Sequence, residues 1–319
     1  MGGRAGRDGR VPRVIEASPL SLPRLLRDFP VLAESLRGIE RAAATDAPVL
    51  LLGEPGSGRS TVARGVHGAS PRAAGPLVEV DPGSVPSSLF ESEFFGYKAG
   101  AFTGAEQGRE GRVALAEGGT LVLDHVEELP LPAQPKLLRL VAERRYTPLG
   151  GREVGADVRF VAVAAEDLPR RVAREAFRAD LFYRLEVLAF RIPPLRERRA
   201  DLPAVVDHLL ADLGERFGHP NPVLAPRARS WMLKHSWPGN LQQLRNTLER
   251  GLILAAGDAV DPPPPEGFLE VRPRPLLEVE KEQIRNALAY TRGHQGRAAE
   301  LLGISRKALW EKRRRYGIP

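Results

Sequence analysis

The chain has 319 residues, a net charge of +7 and no cysteine, with a sequence pI near 10.0. The missing cysteines exclude disulfides, thiolate zinc sites and a cysteine nucleophile. No apolar run approaches the ~20 residues that span a bilayer, and the basic start MGGRAGRDGRVPR lacks the apolar stretch of a secretory signal. The basic balance directs attention to an acidic partner: nucleotide, nucleic acid or membrane surface.

Residues 1–24 are rich in Gly, Arg and Pro without a sustained period, which predicts a flexible arm. Over 25–195, five short apolar runs alternate with helical patterns: APVLLL (47–52), PLVEV (76–80), TLVLD (120–124), VRFVAVAA (158–165) and EVLAFRI (186–192). Continuous apolar strands alternating with helices predict an α/β core with a parallel sheet covered on both faces. Residues 196–258 hold amphipathic patterns only, DLPAVVDHLLADLGERF and LQQLRNTLERGLILAA, and predict a helical subdomain. Four consecutive prolines within 259–275 predict an extended spacer. Residues 276–319 are helical in pattern with breaks at Gly293 and Gly303. Residues 270–319 hold twelve Lys or Arg against six Asp or Glu, a balance of +6, so nearly all the excess charge sits at this end.

The first chemical signal follows the first strand. APVLLL runs directly into Gly53-Glu54-Pro55-Gly56-Ser57-Gly58-Arg59-Ser60, and a helical pattern follows. Spacing and context match G-x-x-x-x-G-K-[ST], in which glycines let backbone N–H groups wrap phosphates at a helix N-terminus and the Ser hydroxyl takes Mg²⁺. Arg59 stands where the motif has Lys; it keeps the charge but is a planar fork rather than a compact ammonium. TLVLD ends in Asp124, a carboxylate placed to hold Mg²⁺ with Ser60.

Between these elements lies ESEFFGYKAGAFTGA (91–105). With Gly100-Ala101-Phe102-Thr103-Gly104-Ala105, FRADLFYRLEVLAFRIPPLRERRADLP (177–203) and WPGN (237–240), the chain resembles the sigma-54-dependent transcriptional activators, or bacterial enhancer-binding proteins, of the AAA+ class. The resemblance covers about residues 25–258. It implies an AAA+ core over 25–195, a lid over 196–258, ATP and Mg²⁺ as cofactors, and assembly from dimer to hexameric ring. It further implies that residues 100–105 touch sigma-54 in the RNA polymerase holoenzyme, with Phe102 as an exposed aromatic anchor. Arg178 and Arg184 match the family's arginine fingers, which reach a neighbour's γ-phosphate.

Five positions depart from the family pattern: Arg59 for Lys, His125 for the Glu after Asp124, Asp81 for the Asn that pairs with that Glu, Ala164-Ala165 for Thr-Asn, and Gln242 for the sensor Arg after WPGN. The lost Glu would orient the attacking water. His125 and Asp81 changed together in kind and could form a substitute base–orienter pair; drift after loss of ATPase selection is the alternative. Two readings therefore stand: an ATP-driven activator, and a degenerate pseudo-ATPase that binds nucleotide and DNA without efficient hydrolysis. A P-loop motor unrelated to transcription does not account for GAFTGA.

At the C-terminus, a helix to about Tyr290, a second over 295–302 and a third over 306–316, N-capped by Ser305, predict a helix-turn-helix. AAELLGISR resembles the Fis-type module that ends many of these activators. Arg306 and Lys307 are placed to reach base edges, and Lys312, Arg313, Arg314 and Arg315 to contact phosphates. Leu309 is expected in the core, and Trp310 is a further DNA candidate. A merely solvated basic face is the alternative. The expected setting is the bacterial cytoplasm at the nucleoid, with no membrane partner. No receiver or sensory segment is legible before the core, so control is expected from a partner, from expression level or from a part of the gene outside this chain.

Overall fold

The computed structural model describes residues 21–255, 257, 259–264, 276–291 and 293–318. The chain forms two compact units, Met1–Pro265 and Glu266–Pro319.

The core of the first unit is a parallel five-stranded sheet of β1 (Val49–Gly53), β2 (Leu77–Val80), β3 (Thr120–Leu123), β4 (Arg159–Ala164) and β5 (Leu188–Ile192). The spatial order is β2-β3-β4-β1-β5. β3 and β4 are buried along their whole length, as expected for strands that helices cover on both faces. All five expected strands are present. The register pairs Leu52 with Ala164 and Leu123 with Ala162, so the strands that end in Gly53, Leu123 and Ala164 finish along one edge. Ligands of open parallel sheets bind beyond the carboxyl ends of the strands, and the phosphate motif lies at that edge.

The predicted arm of 1–24 overlaps a helix at its end. Residues 1–20 lie outside the described residues, but a helix runs over Leu22–Asp28 with Leu22 and Leu25 buried. Leu22 packs on the helix Arg59–Gly68 at Gly65, where an added Cβ would stand 3.3 Å from the Leu22 Cβ. Burying one leucine side chain is worth about 2 kcal/mol, enough to hold this turn to the core.

Two antiparallel pairs of two residues each escaped the sequence pattern. Gly96–Tyr97 pairs with Arg109–Glu110, and Arg145–Tyr146 with Val154–Gly155. The first is the base of the loop that carries residues 100–105.

After β5 the chain turns helical. Helices Leu202–Phe217, Pro226–Lys234 and Asn240–Leu254 form the lid, with Trp231 and Trp237 packed at a centroid distance of 5.8 Å. The predicted spacer begins too early at 259: Ala259–Val260 pairs in parallel with Val223–Leu224, and Pro262 lies over Gly251. A proline stretch can close a subdomain when its first residues still find backbone partners. Residues 265–275 of that spacer lie outside the described residues.

The second unit has helices Leu276–Tyr290, Gln295–Leu301 and Arg306–Tyr316. They close on Ile284, Ala287, Leu288, Ala298, Ala299, Leu309 and Ile318. Gly303, at a φ of 64°, supplies the left-handed turn between the last two helices. No described helix is long and apolar enough to cross a membrane.

Candidate functional site

The phosphate loop is shaped by its backbone. Gly56 and Gly58 take φ of 73° and 103°, a region that disfavours side chains. A Cβ on Gly53 would stand 2.7 Å from the Ile192 carbonyl oxygen, so glycine is also a packing requirement there. The helix Arg59–Gly68 begins after Gly58 with no side-chain cap. Its first N–H groups are therefore open to an anion, with the positive end of the helix dipole behind them. Ser60 Oγ donates to Asp124 Oδ2 at 2.8 Å, which brings together the hydroxyl and the carboxylate predicted to share Mg²⁺.

Arg59 is buried, and its guanidinium folds back on the protein. Nη1 donates to the Gly53 carbonyl at 2.9 Å and Nη2 lies 3.3 Å from His125 Nε2. His125 sits in the left-handed region at φ 53°, immediately past the end of β3. On the other side of its ring, Nδ1 is 3.5 Å from Asp81 Oδ2 and 3.7 Å from Asp124 Oδ1. Asp81 is itself held, its Oδ1 accepting from the Gly83 N–H at 3.0 Å. Three of the five departures from the family pattern are thus one contiguous group. Guanidinium has donors only, so the contact requires Nε2 to accept and places the imidazole proton on Nδ1, facing the two carboxylates.

The fourth departure also has a neighbour that sequence reasoning missed. Glu127 is buried, and its Oε1 accepts from the Ala165 N–H at 3.1 Å. Its carboxylate therefore stands beside the Ala164–Ala165 pair. The sequence signal was a second acid two positions beyond His125. At the fifth, Gln242 donates to Asn246 Oδ1 at 2.9 Å, while its Cβ would lie 3.3 Å from a Cβ on Gly56. Arg245, one turn further, pairs with Asp212 at 2.9 Å.

The lid is fastened to the phosphate loop. Asn240 Nδ2 donates to Glu54 Oε2 at 3.2 Å and to the Pro55 carbonyl at 3.1 Å, and its Oδ1 accepts from the Leu195 N–H at 2.9 Å. Leu241 N donates to the Gly56 carbonyl at 2.9 Å. Arg196 clamps Glu54 from outside. Hydrogen bonds from Arg196 above all, then the one from Asn240 and the Arg196 charge, hold the Glu54 carboxyl at about 2, well below its ordinary range. Arg198 is buried, and its Nη2 donates to the Ser57 carbonyl at 2.5 Å. Burial lowers its pKa to about 10, so it stays a cation at neutral pH.

Loop, lid and N-terminal helices enclose a cavity of about 370 Å³ with Leu25, Phe29, Leu32, Val62 and Leu241 among its walls. These apolar walls were not legible as a site because they come from segments more than 200 residues apart.

Arg178 precedes the helix Ala179–Leu185, Arg184 lies in its last turn, and both are exposed. Arg178 makes a two-pronged bond to Asp180, at 3.0 and 2.7 Å, and Arg184 donates to the Ala142 carbonyl at 3.1 Å. The 100–105 loop is a tight turn: Gly100 N donates to the Ala105 carbonyl at 2.8 Å and Ala105 N to the Phe102 carbonyl at 3.0 Å. The ring of Phe102 stays 47% exposed, leaning on Tyr97 at 5.0 Å. Thr103 is exposed and Ala101 lies against Gly150.

In the second unit, Ser305 Oγ caps the last helix by accepting from the Ala308 N–H at 3.1 Å. Arg306, Lys307, Trp310, Arg314 and Arg315 are exposed, and Leu309 is core. Arg314 lies over the Trp310 ring at 5.5 Å, which gives that face a cationic, aromatic surface. Arg313 is half-buried. Lys312, expected at phosphates, pairs with Glu280 on the first helix, where Tyr316 also donates.

Residues 25–191 match the sigma-54 interaction domain, 196–263 the AAA+ ATPase lid domain, and 275–316 the bacterial regulatory protein, Fis family. The chain is 40% identical over 308 residues to the C4-dicarboxylate transport transcriptional regulatory protein DctD of Rhizobium meliloti, covering 96% of this chain and 67% of that one. It is 38% identical to the transcriptional regulatory protein ZraR of Salmonella typhimurium, covering 90% and 68%. Among solved structures, NtrX from Brucella abortus superposes with a TM-score of 0.69 at 32% identity, over 93% of this chain and 72% of that one. NtrX has also been solved with ADP and with ATP. With a sigma-54 interaction domain, an AAA+ lid and a Fis-type DNA-binding module in this order, the chain belongs to the family of sigma-54-dependent transcriptional activators.

Proposed function

We propose that this chain binds ATP with Mg²⁺ in its phosphate loop, assembles through its core into rings of up to six subunits, touches sigma-54 through Gly100–Ala105, and is held on DNA by its last helix. The observation that carries the reading is the glycine-shaped loop with an uncapped helix N-terminus, opening beside an apolar cavity. NtrX, solved with both nucleotides, supports it. The backbone of residues 53–60 would hold the phosphates and the cavity the base. Ser60 and Asp124, already 2.8 Å apart, are the oxygen donors suited to Mg²⁺, which usually takes one or two protein ligands and completes its shell with phosphates and water. That ion would neutralise charge on the phosphates. Arg178 would leave Asp180, and Arg184 the Ala142 carbonyl, to reach a neighbouring subunit's nucleotide. Arg306 and Lys307 would meet base edges, while Arg313, Arg314 and Trp310 would follow the backbone; Lys312 braces the helix.

A second reading, nucleotide binding without efficient turnover, is favoured by one observation. His125 is near Asp81 as a substitute base requires, yet its accepting nitrogen is occupied by Arg59. Turnover through His125 would therefore require Arg59 to release that nitrogen first, which makes hydrolysis by the isolated subunit slow. Phosphate release measured across protein concentration tests this. A rate per subunit that climbs with assembly supports the ATP-driven ring. ATP binding with no release at any concentration supports the pseudo-ATPase, and absence of ATP binding overturns both.

A further inference from the structure

We infer that His125 and Asp81 act on the phosphate-binding Arg59 rather than on water: they form a holder that keeps the Arg59 guanidinium off the phosphate position until a nucleotide takes it away. This rests on the nucleotide reading above and adds a positioning role to it.

Three facts carry the inference. Arg59 is 96% buried and has two anchors, the Gly53 carbonyl and His125 Nε2. Both lie within its own site, so an arginine at the Lys position is stowed rather than free. Second, the ring is fixed in the sense that suits stowing. A guanidinium cannot accept, so Nε2 must offer its lone pair, and the Nδ1 proton then faces Asp81 at 3.5 Å and Asp124 at 3.7 Å. Third, the left-handed backbone of His125, at φ 53°, turns the residue at the end of β3 back over the loop. Arg59, His125 and Asp81, three positions that depart from the pattern the resemblance implies, are one contiguous group.

The consequence is an affinity cost and a linkage. To bind a terminal phosphate, Arg59 must give up Nε2, so the holder opposes binding. Once Arg59 has moved, Nε2 is exposed toward the vacated space only in the nucleotide-bound state.

The test uses the full chain, Mg²⁺ and ATPγS, with binding measured by calorimetry. His125→Ala should tighten ATPγS about 3–10-fold, the scale of one released hydrogen bond. In an Arg59→Lys background, the same His125→Ala change should leave affinity unaltered. Asp81→Asn should give a smaller tightening, since it loosens the tautomer without removing the acceptor. Equal effects of His125→Ala in both backgrounds, or weakened binding in the Arg59 chain, overturn the inference; so does a His125→Ala change that lowers phosphate release without moving affinity. Because alanine strains a left-handed position, nitrogen NMR of the unliganded chain gives an independent readout. The Nε2 resonance of His125 should shift on Arg59→Lys, and on adding ATPγS to the unaltered chain; an unmoved resonance in the first comparison overturns the inference. If no variant, nor the unaltered chain, binds ATPγS, the nucleotide reading fails separately, and the nitrogen spectrum still decides whether Arg59 holds the ring.

Discussion

The hairpin that presents Phe102 and the phosphate loop that follows β1 are both shaped by glycine, but they carry their chemistry differently. The hairpin's working parts are a tight turn and one exposed ring on it. The phosphate loop has an equally determined backbone, yet the side chains around it depart from the pattern the resemblance implies at Arg59, His125, Asp81, Ala164–Ala165 and Gln242. Backbone-made function, such as N–H groups around a phosphate, survives such exchange; function that needs a particular acid or cation in a particular place does not. In the proposed function, phosphate binding and the presentation of Phe102 therefore rest on backbone that such exchange leaves in place, and hydrolysis is the step that depends on the exchanged side chains.

The largest expected effect breaks the hairpin. Gly111 follows its second strand, and a Cβ there would stand 2.2 Å from Gly96 N and 2.4 Å from the Phe94 carbonyl oxygen. All the nearest atoms are backbone, so nothing flexible can yield. Gly111→Ala should cost about 3 kcal/mol, read as a lower thermal midpoint, and should separate Gly96–Tyr97 from Arg109–Glu110. An unchanged midpoint would mean that this base is loose and the loop is not held as described.

The second effect falls on the phosphate loop. Asn240 joins Glu54, Pro55 and Leu195 through one buried amide. Asn240→Ala should destabilise by about 2 kcal/mol, the scale of leaving buried partners unpaired. It should also weaken nucleotide binding, because the lid loses its hold on the loop. If only stability falls, the lid does not shape the site.

A smaller effect appears in acid. Arg196 and Asn240 hold the Glu54 carboxyl at about 2, against an ordinary 4.5. A carboxyl whose folded pKa is depressed stabilises the fold above its unfolded pKa, and that contribution fades as pH falls from 4.5 toward 2. Arg196→Gln should flatten the dependence of unfolding midpoint on pH within that window and lower the midpoint slightly near neutrality, where the contribution is fully present but small because solvent screens the exposed pair.

The sheet was legible because each strand is a dense run of Leu, Val and Phe bounded by Gly, Pro or charge. The phosphate loop was legible because glycine spacing is itself the geometry. The two short hairpins were not, since two residues carry no period. The cavity was hidden for another reason: Leu25 and Leu241 belong to one surface only after folding. Sequence gave the identity of Arg59, His125 and Asp81 but not that the guanidinium reaches the ring. That contact depends on the left-handed turn at His125, which no local residue preference announces. Lys312 reads as a phosphate contact because its partner, Glu280, lies two helices earlier in the chain.

The smallest stability effect is the sharpest test of the comparison. Phe102 is nearly half exposed and touches the hairpin chiefly through Tyr97. Phe102→Ala should therefore leave the thermal midpoint within the ±0.5 kcal/mol typical of surface changes and leave ATPγS affinity unchanged. Capture of sigma-54 by the assembled chain should be lost, because an exposed aromatic on a rigid turn is an anchor rather than a support. If the same substitution lowered stability by more than about 1 kcal/mol, the ring would be holding the hairpin together. The division between a backbone that makes the loop and a side chain that does its work would then fail at the place where it is most plainly drawn.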